Sequence, residues 1–301
     1  PTIFGAVFES TLNPDTRRAG GMHYTSIENI HKVIDPLFLD GLRQELAEIK
    51  GIAVDRAREK RLREFQAKLS RLTFLDPACG SGNFLTETYI SLRRLENEVL
   101  GLLAYGQVTM ADERSSPIMV SIGQFYGIEI NDFAVTVAKT ALWIAESQML
   151  KETEDIVHMP LDFLPLKSYA GIAEGNALRM DWAEVVPKEK LNYIMGNPPF
   201  VGKSYQSAGQ KADMDLVLSE ISNYGNMDYV TCWHKKAVDF MESTKIECAF
   251  VSTNSICQGI AVPPLWRYIL DWKRFHIIFA HQTFRWDSEA SEKAHVHCVI
   301  I

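Results

Sequence analysis

The sequence has few of the features that mark a secreted, metal-stabilised or membrane-embedded protein. Its 301 residues include only five cysteines, and no CxxC pair occurs among them. Scattered cysteines in an odd number are typical of reduced thiols, so we expect no disulfides, no metal site and a cytoplasmic location. The sequence shows no signal peptide, and no apolar run approaches the roughly 18 residues that a membrane span requires. We therefore expect no membrane partner.

Positive charge is also in short supply, since 31 Lys and Arg oppose 38 Asp and Glu and the net charge is −7. A free-standing nucleic-acid binder usually carries a basic footprint, because phosphate contacts supply most of its affinity. Any such partner would need locally clustered basic groups or a further domain. One basic stretch is interpreted as a solvated helix face, with a phosphate-contacting face as the alternative: Arg56, Arg58, Lys60, Arg61 and Arg63.

Hydrophobic patterning divides the chain at about residue 70. Before that point the pattern is helical, and we expect Ser26 to cap a helix. The apolar residues of that helix share one face: Ile27, Ile30, Val33 and Ile34. Residues 36–70 continue as charged helix. From residue 71 onward, strands and helices alternate, which predicts an α/β fold with a doubly wound, mostly parallel seven-stranded sheet and an N-terminal helical segment.

The same patterning places the individual elements. We predict strands at Leu72–Leu75, Phe125–Ile130, Tyr169–Ala173, Tyr193–Met195, Cys248–Ser252, His276–Ala280 and His295–Ile301. We predict further helices at Asn83–Leu103, Asp132–Leu150 and Tyr229–Met241. A loop rather than a helix joins the last two strands, which predicts an antiparallel pair at the sheet edge.

A turn of small residues, Asp-Pro-Ala-Cys-Gly-Ser-Gly at positions 76–82, follows the first strand. Gly80 and Gly82 let the backbone approach a ligand where a Cβ would clash. Asp76 ends the strand, at the sheet edge where α/β folds bind ligands, and can pair with a cation. The turn has neither the P-loop lysine nor a GxGxxG pattern. A ligand with an amine, such as the methionine part of S-adenosylmethionine (SAM), fits it better. A plain tight βα turn is the alternative.

A second acid, Glu129, ends the next strand in Phe-Tyr-Gly-Ile-Glu-Ile-Asn at positions 125–131. A carboxylate there can accept two hydrogen bonds from ribose hydroxyls, and Ile130 would then lie against an adenine ring. An ordinary solvated or helix-capping acid is the alternative. Cys79, within the glycine turn, is interpreted as a small packing residue.

The loop Asn197-Pro198-Pro199-Phe200 follows a further strand and is stiffened by its two prolines. The amide oxygen of Asn197 and the carbonyl of Pro198 can both accept hydrogen bonds from one NH2 group. Such bonds pull the nitrogen lone pair out of ring conjugation and aim it at an electrophilic methyl. Phe200 offers a face on which a base can stack. A proline-rich turn with a buried aromatic is the alternative.

These motifs, in this order, resemble the amino-methylating DNA methyltransferases of the gamma class, in which the SAM motifs precede the catalytic motif and target recognition follows. The resemblance implies a class I SAM-dependent, Rossmann-like methyltransferase fold with SAM as the cofactor. It implies a SAM loop containing Asp76, Ala78, Gly80 and Gly82, and a ribose-binding acid at Glu129 followed by Ile130. Asn197 to Phe200 match the catalytic motif in full.

Three further assignments come from the same resemblance. Residues 21–26 resemble the N-terminal motif that contacts the SAM carboxylate, with Thr25 as the donor. Residues 174–178 resemble the motif that contacts the SAM adenine, here through Asn176, where many relatives have Asp. Residues 283–286 resemble the late motif whose aromatic, here Phe284, packs the flipped base; a buried edge-strand aromatic is the alternative.

The runs at positions 76–100 and 125–143 are similar to the MmeI-type (type IIL) single-chain restriction–modification enzymes. Those enzymes join a nuclease, a helical spacer, this methyltransferase core and a target recognition domain. No PD…ExK nuclease motif is evident, and the chain starts at Pro1 and ends on an apolar run. We therefore expect a fragment of a longer protein, with double-stranded DNA as its partner. Residues 1–70 would carry part of the SAM site, and residues 71–301 would be the catalytic domain, truncated at its C-terminus.

The expected reaction is direct methyl transfer from SAM to the exocyclic N6 amino group of a flipped adenine in DNA. The loop chemistry serves cytosine N4 equally, so adenine rests on the resemblance. Cytosine C5 methylation is disfavoured because it commonly uses a Pro-Cys pair, and no Cys here follows a Pro. The alternatives are a protein-glutamine or RNA amino-methyltransferase, and a SAM-binding module without catalysis.

Overall fold

The computed structural model describes residues 25–104, 117–158, 161, 171–259, 262–286 and 296–301. Residues 21–24 of the proposed N-terminal motif, the start of the strand predicted at Tyr169–Ala173 and the predicted strand residue His295 lie outside these ranges. Within them, no helix is both long enough and apolar enough to cross a bilayer.

A seven-stranded sheet forms the centre of the protein, in the order β3-β2-β1-β4-β5-β7-β6. The strands are β1 (Phe74–Asp76), β2 (Phe125–Glu129), β3 (Ile172–Glu174), β4 (Tyr193–Gly196), β5 (Glu247–Thr253), β6 (His281–Trp286) and β7 (Val296–Ile300). The first five strands in sequence pair in parallel, and β7 pairs antiparallel with both β5 and β6. The predicted doubly wound, mostly parallel sheet is confirmed. The strand order reverses beside β1, which pairs with β2 on one side and β4 on the other, and ligands of such sheets bind at this switch point.

Helices cover the sheet. They are α1 (Ile27–Ile34), α2 (Asp40–Lys50), α3 (Asp55–Leu69), α4 (Asn83–Ala104), α5 (Asp132–Val157), α6 (Ala208–Leu218), α7 (Thr231–Met241) and α8 (Val262–Trp266). The π-helical turns Asp35–Leu39 and Arg267–Trp272 continue α1 and α8. Ser26 caps α1 as predicted, because its hydroxyl accepts a hydrogen bond from Asn29 N at 3.4 Å.

The core lies on both faces of the sheet, because neighbouring strand residues point to opposite sides. On β1, Phe74 belongs to one cluster and Leu75 to the other. Phe38, in the turn after α1, packs on Phe74 with ring centroids 5.0 Å apart and on Tyr193 of β4 at the same distance. The N-terminal helices therefore share a core with one face of the sheet, on the side opposite α7.

The basic stretch on α3 behaves as a solvated face. Arg58 pairs with Asp55 at 2.6 Å and Arg63 with Glu59 at 2.7 Å, within the same helix. Lys60 and Arg61 both pair with Glu64, so the three acids of α3 offset part of the charge of these five basic residues.

One strand of the sequence prediction is wrong. The strand predicted at His276–Ala280 is irregular backbone, with Ile277 and Ile278 about half exposed, and the strand begins at His281. β7 pairs with His281 and with the segment Phe284–Trp286, whereas residues 276–280 are in no strand of the described part of the chain. Of the four apolar residues predicted on one face of α1, Ile30, Val33 and Ile34 are buried, and Ile27, which begins the helix, is 41% exposed.

Candidate active site

The carboxyl ends of β1, β2 and β4 bring the three sharpest sequence motifs together. Asp76 ends β1, Glu129 ends β2, and Asn197 follows β4. β1 lies between the other two strands, so the acids and the Asn-Pro-Pro-Phe loop meet at the switch point of the sheet. The sequence placed these residues at strand ends, and the strand order places them at one edge.

Asp76 lies at the floor of this site and is 1% exposed. Its Oδ1 accepts a hydrogen bond from Ala78 N at 3.0 Å. Burial raises the pKa of Asp76 to about 8, and the nearby charge of Glu129 adds to the rise, while the bond from Ala78 opposes it. A buried carboxyl with this pKa is set to become an anion when a cation is placed beside it.

The two glycines of the turn at residues 76–82 let other atoms come close to its backbone. Gly80 has a φ of +52°, and no atom of the described residues lies within 4 Å of the place where its Cβ would be. Gly82 has a φ of +81°, and a Cβ there would lie 3.0 Å from Cβ of Ala138 on α5. Gly82 therefore lets α5 pack against the turn, whereas Gly80 leaves open space on the ligand side.

Cys79 is a packing residue, as expected. It is 5% exposed, and burial raises the pKa of its thiol well above the usual value. A Cβ on Gly127 of β2 would lie 2.8 Å from Cys79 Sγ, so the sulfur occupies the space that this glycine leaves. Such a thiol is not activated as a nucleophile.

Glu129 links β2 to the glycine turn. Its Oε2 accepts a hydrogen bond from Gly80 N at 2.9 Å, and its Oε1 accepts one from Asn131 N at 2.9 Å. Burial raises its pKa, and these backbone bonds partly counteract the rise. Each carboxylate oxygen has a second lone pair, so both retain capacity for hydroxyl donors. Ile130, the next residue, leaves 68% of its side chain exposed beside this acid.

Asn176 lies next to Glu129, because Gly175 N donates to the carbonyl of Glu129 at 2.8 Å. Its Oδ1 accepts from Leu178 N at 2.9 Å, and its Nδ2 donates to Asp213 Oδ2 at 3.1 Å. Asp213, on α6, was missed by the sequence analysis.

Asp213 is held as an anion by its surroundings. It accepts hydrogen bonds from Arg179 Nε and from the Tyr229 hydroxyl, each at 2.6 Å. Burial favours a higher pKa, but the bonds from Tyr229, Asn176 and Arg179 outweigh it and hold the pKa below its usual value. An amide at position 176 donates to this anion, which an aspartate could not do.

Asn197 presents an unusual amide. Its Nδ2 donates to Thr25 Oγ1 at 3.2 Å, and its Oδ1 is buried with no hydrogen-bond partner among the described residues. Pro198 is buried, and Phe200 is half-buried and contacts the cores on both faces of the sheet. A buried acceptor of this kind is costly unless a donor arrives, so it marks the place where a donor group fits.

Hydrogen bonds to Val201, the residue after Phe200, fix the backbone at the end of the loop. We call the residues that make them, Asp228, Gln206 and Tyr229, the clamp. Val201 N donates to Asp228 Oδ1 at 3.0 Å, and Val201 O accepts from Tyr229 N and from Gln206 Nε2, each at 3.0 Å. Asp228 and Gln206 are both buried. No local sequence signal identifies these residues, since Asp228 lies 27 positions from the residue it holds.

The remaining predicted residues are placed less directly. Thr25 is 4% exposed and contacts Asn197, so its expected bond to the SAM carboxylate stays a prediction; a hydroxyl can accept one bond and donate another. Phe284 lies on β6, half-buried against the core, with Lys32 Nζ 5.1 Å from its ring centroid. Its role in packing a base also stays a prediction. Among the described residues, no three His, Cys, Asp or Glu side chains form a group that could hold a metal ion.

A seven-stranded, mostly parallel sheet with a glycine turn after β1 and acids at the ends of β1 and β2 defines a Rossmann-like methyltransferase fold. Residues 52–301 match the family model of the MmeI DNA-methyltransferase domain. The chain belongs to this family.

Comparison with individual proteins supports the same family. The structure superposes on that of the type IIL restriction–modification enzyme MmeI in complex with DNA with a TM-score of 0.91 and 44% identity, covering 100% of this chain and 39% of that one. DNA methyltransferase A of Bacillus subtilis (strain 168) is 39% identical over 304 residues, covering all of this chain and 33% of its own length. A DrdV–DNA complex shares the fold alone, with a TM-score of 0.57 and 14% identity. The chain thus spans between a third and two fifths of the length of its two nearer relatives named here.

Proposed function

We propose that this chain is the catalytic core of a SAM-dependent DNA methyltransferase that methylates the exocyclic N6 amino group of adenine, within an MmeI-like restriction–modification enzyme. One observation carries the proposal. Asn197 Oδ1 is a buried acceptor left unsatisfied by the described part of the chain, at the sheet edge shared with Asp76 and Glu129. Leaving such a group unpaired costs about 1–3 kcal/mol, and an amino group is the donor that would satisfy it.

The neighbouring residues fit SAM as the cofactor. Asp76 is a buried carboxyl with a raised pKa, suited to a cationic amine. Glu129 has lone pairs left for ribose hydroxyls, and the open side of Gly80 accommodates close backbone approach. Ile130 offers an exposed apolar surface for an adenine ring. When bound, SAM would supply a methyl group on a sulfonium, whose sulfur leaves as a neutral thioether when the methyl is transferred. Because this is a good leaving group, the protein would need no general base for the transfer.

The Asn-Pro-Pro-Phe loop would hold the substrate. Asn197 Oδ1 and the Pro198 carbonyl would accept hydrogen bonds from the two N–H groups of the substrate amino group, which would free the nitrogen lone pair to attack the methyl group. Phe200 stacks the ring. Alignment by this rigid loop would supply most of the rate enhancement, because two reactants already held in line lose little further translational and rotational entropy on the way to the transition state. After transfer, the nitrogen loses a proton to water.

A base within a stacked duplex cannot reach a buried acceptor, so the target nucleotide must be flipped out of the helix. The same loop geometry serves adenine N6 and cytosine N4. The choice of adenine is supported by the resemblance to the gamma-class enzymes and their motif order.

The segment before residue 71 would contribute to the same site, because Thr25, just before α1, contacts Asn197.

Double-stranded DNA is the proposed partner, bound together with nuclease and target recognition domains of a longer protein. The structural relatives MmeI and DrdV were both determined in complex with DNA. The net charge of −7 and the internally paired arginines of α3 fit a core that leaves most phosphate contacts to other domains.

The test is methyl transfer by the full-length protein with radiolabelled SAM, offered duplex DNA, RNA and a glutamine-containing protein substrate in parallel. We expect label in DNA, and its loss in Asn197→Ala. Asn226→Ala is the matched control, because this exposed amide bonds Lys203 and lies outside the loop. Label in RNA or protein alone, or undiminished transfer by Asn197→Ala, contradicts the proposal.

A further inference from the structure

We infer that Thr25 is a positioning residue that sets the orientation of the Asn197 side-chain amide. The inference rests on the proposed function of the Asn197 loop. A side-chain amide has a donor end and an acceptor end, and rotation by half a turn exchanges them. An amino group brings hydrogens, so it is bound by the oxygen end and repelled by the nitrogen end. Something in the protein must therefore select one of the two orientations.

The contacts of Asn197 identify what selects it. Asn197 Nδ2 donates to Thr25 Oγ1 at 3.2 Å, which satisfies the nitrogen end of the amide. The oxygen end is then left buried and unsatisfied by any described residue. Thr25 is itself 4% exposed, so water does not readily replace its hydroxyl as the acceptor. A hydroxyl can either donate or accept, and that of Thr25 acts only as an acceptor toward Asn197 once its own proton is donated to the SAM carboxylate, as predicted above. In that state it turns Oδ1 toward the place where an amino group would bind.

The position of Thr25 is fixed by the helix that follows it. Thr25 directly precedes Ser26, the cap of α1, and α1 buries Ile30 and Val33 in the core. His31 on α1 contacts Glu87 of α4 at 3.2 Å, and α4 begins at the end of the glycine turn. Thr25 is therefore held against the same elements that carry the glycine turn, although it is 172 residues from Asn197 in the sequence.

This arrangement assigns a chemical task to the N-terminal segment. Without the hydroxyl, both orientations of the amide become available, and the one with Nδ2 toward the substrate cannot accept a hydrogen from the amino group. The rate of methyl transfer falls with the fraction of misoriented amide and with the free energy needed to reorient it. Binding of DNA and SAM changes less, because other residues provide most of those contacts.

The test compares Thr25→Val with Thr25→Ser in the full-length protein. Valine keeps the shape of threonine without the hydroxyl, whereas serine keeps the hydroxyl. We expect Thr25→Val to lower the single-turnover rate of methyl transfer by roughly tenfold or more at saturating DNA and SAM. We expect Thr25→Ser to stay within roughly threefold of the wild type. Calorimetric binding of SAM and the unfolding midpoint serve as readouts that do not depend on turnover.

A second readout uses the Asn197→Asp background. A carboxylate has two acceptor oxygens and no donor end, so its orientation needs no selection. Thr25→Val should slow transfer in the Asn197 protein and leave the rate of Asn197→Asp nearly unchanged. An equal loss in both backgrounds, or a wild-type rate for Thr25→Val, overturns the inference. Either result leaves the proposed function intact provided that Asn197→Ala abolishes transfer, whereas full activity of Asn197→Ala overturns the proposed function.

Discussion

The carboxylate of Asp76 lies directly against Gly196, so closely that a Cβ on this glycine would be 2.5 Å from Asp76 Oδ1. Asp76 ends β1 and Gly196 ends β4, the next strand of the sheet. Gly196 also immediately precedes Asn197. The acid of the proposed cofactor site and the loop of the proposed substrate site are therefore in van der Waals contact through this one glycine.

Gly196→Ala should displace Asp76 and weaken SAM binding. Inserting a methyl group into a filled space costs about 1–3 kcal/mol, and we expect SAM affinity to fall by roughly tenfold or more. Isothermal titration calorimetry measures the SAM affinity of each variant. Gly202→Ala is the matched control, since it is exposed and the described residues leave at least 4 Å around its Cβ position. Equal SAM affinity for the two variants would refute the steric role of Gly196.

Asp76→Asn should have opposite effects on stability and on binding. The pKa of Asp76 is raised from 3.8 to about 8 in the folded protein, so the folded state binds the proton more tightly than the unfolded state. The stabilisation from this group is present at low pH and is lost as pH rises from 3.8 to about 8. The neutral amide removes this dependence, so without cofactor Asp76→Asn should gain stability relative to the wild type as pH rises.

SAM binding should respond in the other direction. Pairing with a cationic amine requires the ionised carboxylate, so wild-type protein at neutral pH should release close to one proton for each SAM bound. Calorimetry in two buffers of different ionisation heat detects this proton. Asp76→Asn should bind SAM more weakly and release none from this position. Unchanged affinity, or the same proton release by the variant, would show that Asp76 does not meet the cofactor amine.

Asn176→Asp should destabilise the protein through Asp213. The substitution places a carboxylate oxygen where Nδ2 now donates to Asp213 Oδ2 at 3.1 Å. Two like charges at this distance repel, and the buried hydrogen bond is lost, at an expected cost of about 1–3 kcal/mol of unfolding free energy. Denaturant unfolding measures this cost.

The double variant Asn176→Asp, Asp213→Asn reverses the donor and the acceptor, so it should recover part of the loss. A double-mutant cycle with all four proteins gives the coupling energy. If the two substitutions changed the unfolding free energy in a strictly additive way, Asp213 would not determine which residue is tolerated at position 176.

Asp228→Ala should loosen the Asn197 loop. The change leaves the buried N–H groups of Val201 and Val230 without the carboxylate that now accepts from them at 3.0 and 3.1 Å. Each unsatisfied group costs about 1–3 kcal/mol. We expect a lower unfolding midpoint and slower methyl transfer. Asp215→Ala is the control, because this exposed acid accepts from the Tyr224 hydroxyl at the surface. An unaltered transfer rate in Asp228→Ala would exclude a role for the clamp.

Local chemistry explains how much of the site the sequence could predict. Asp76, Glu129 and Asn197 were identified because each lies at or just after the end of an apolar strand, and a turn with glycine or proline accompanies Asp76 and Asn197. Such signals depend on adjacent residues. The parallel strand order then places them at one edge. The capping of α1 by Ser26 and the packing role of Cys79 follow from equally local patterns.

Long-range partners could not be predicted in this way. The bonds from Thr25 to Asn197 and from Asp228 to Val201 join segments whose contact depends on how whole helices pack. The misplaced strand at 276–280 has a related cause. An apolar run indicates strand propensity, but pairing with β7 selects the register, and the residues that pair begin at His281.

The central claim is tested most directly by sequencing the methylome of a host that expresses the full-length protein, with an Asn197→Ala strain beside it. The account predicts N6-methyladenine at a defined DNA sequence in the wild-type strain and none at that sequence in the variant. Modification at cytosine, the same adenine mark in both strains, or no new DNA mark in a strain that makes folded, SAM-binding protein would contradict it.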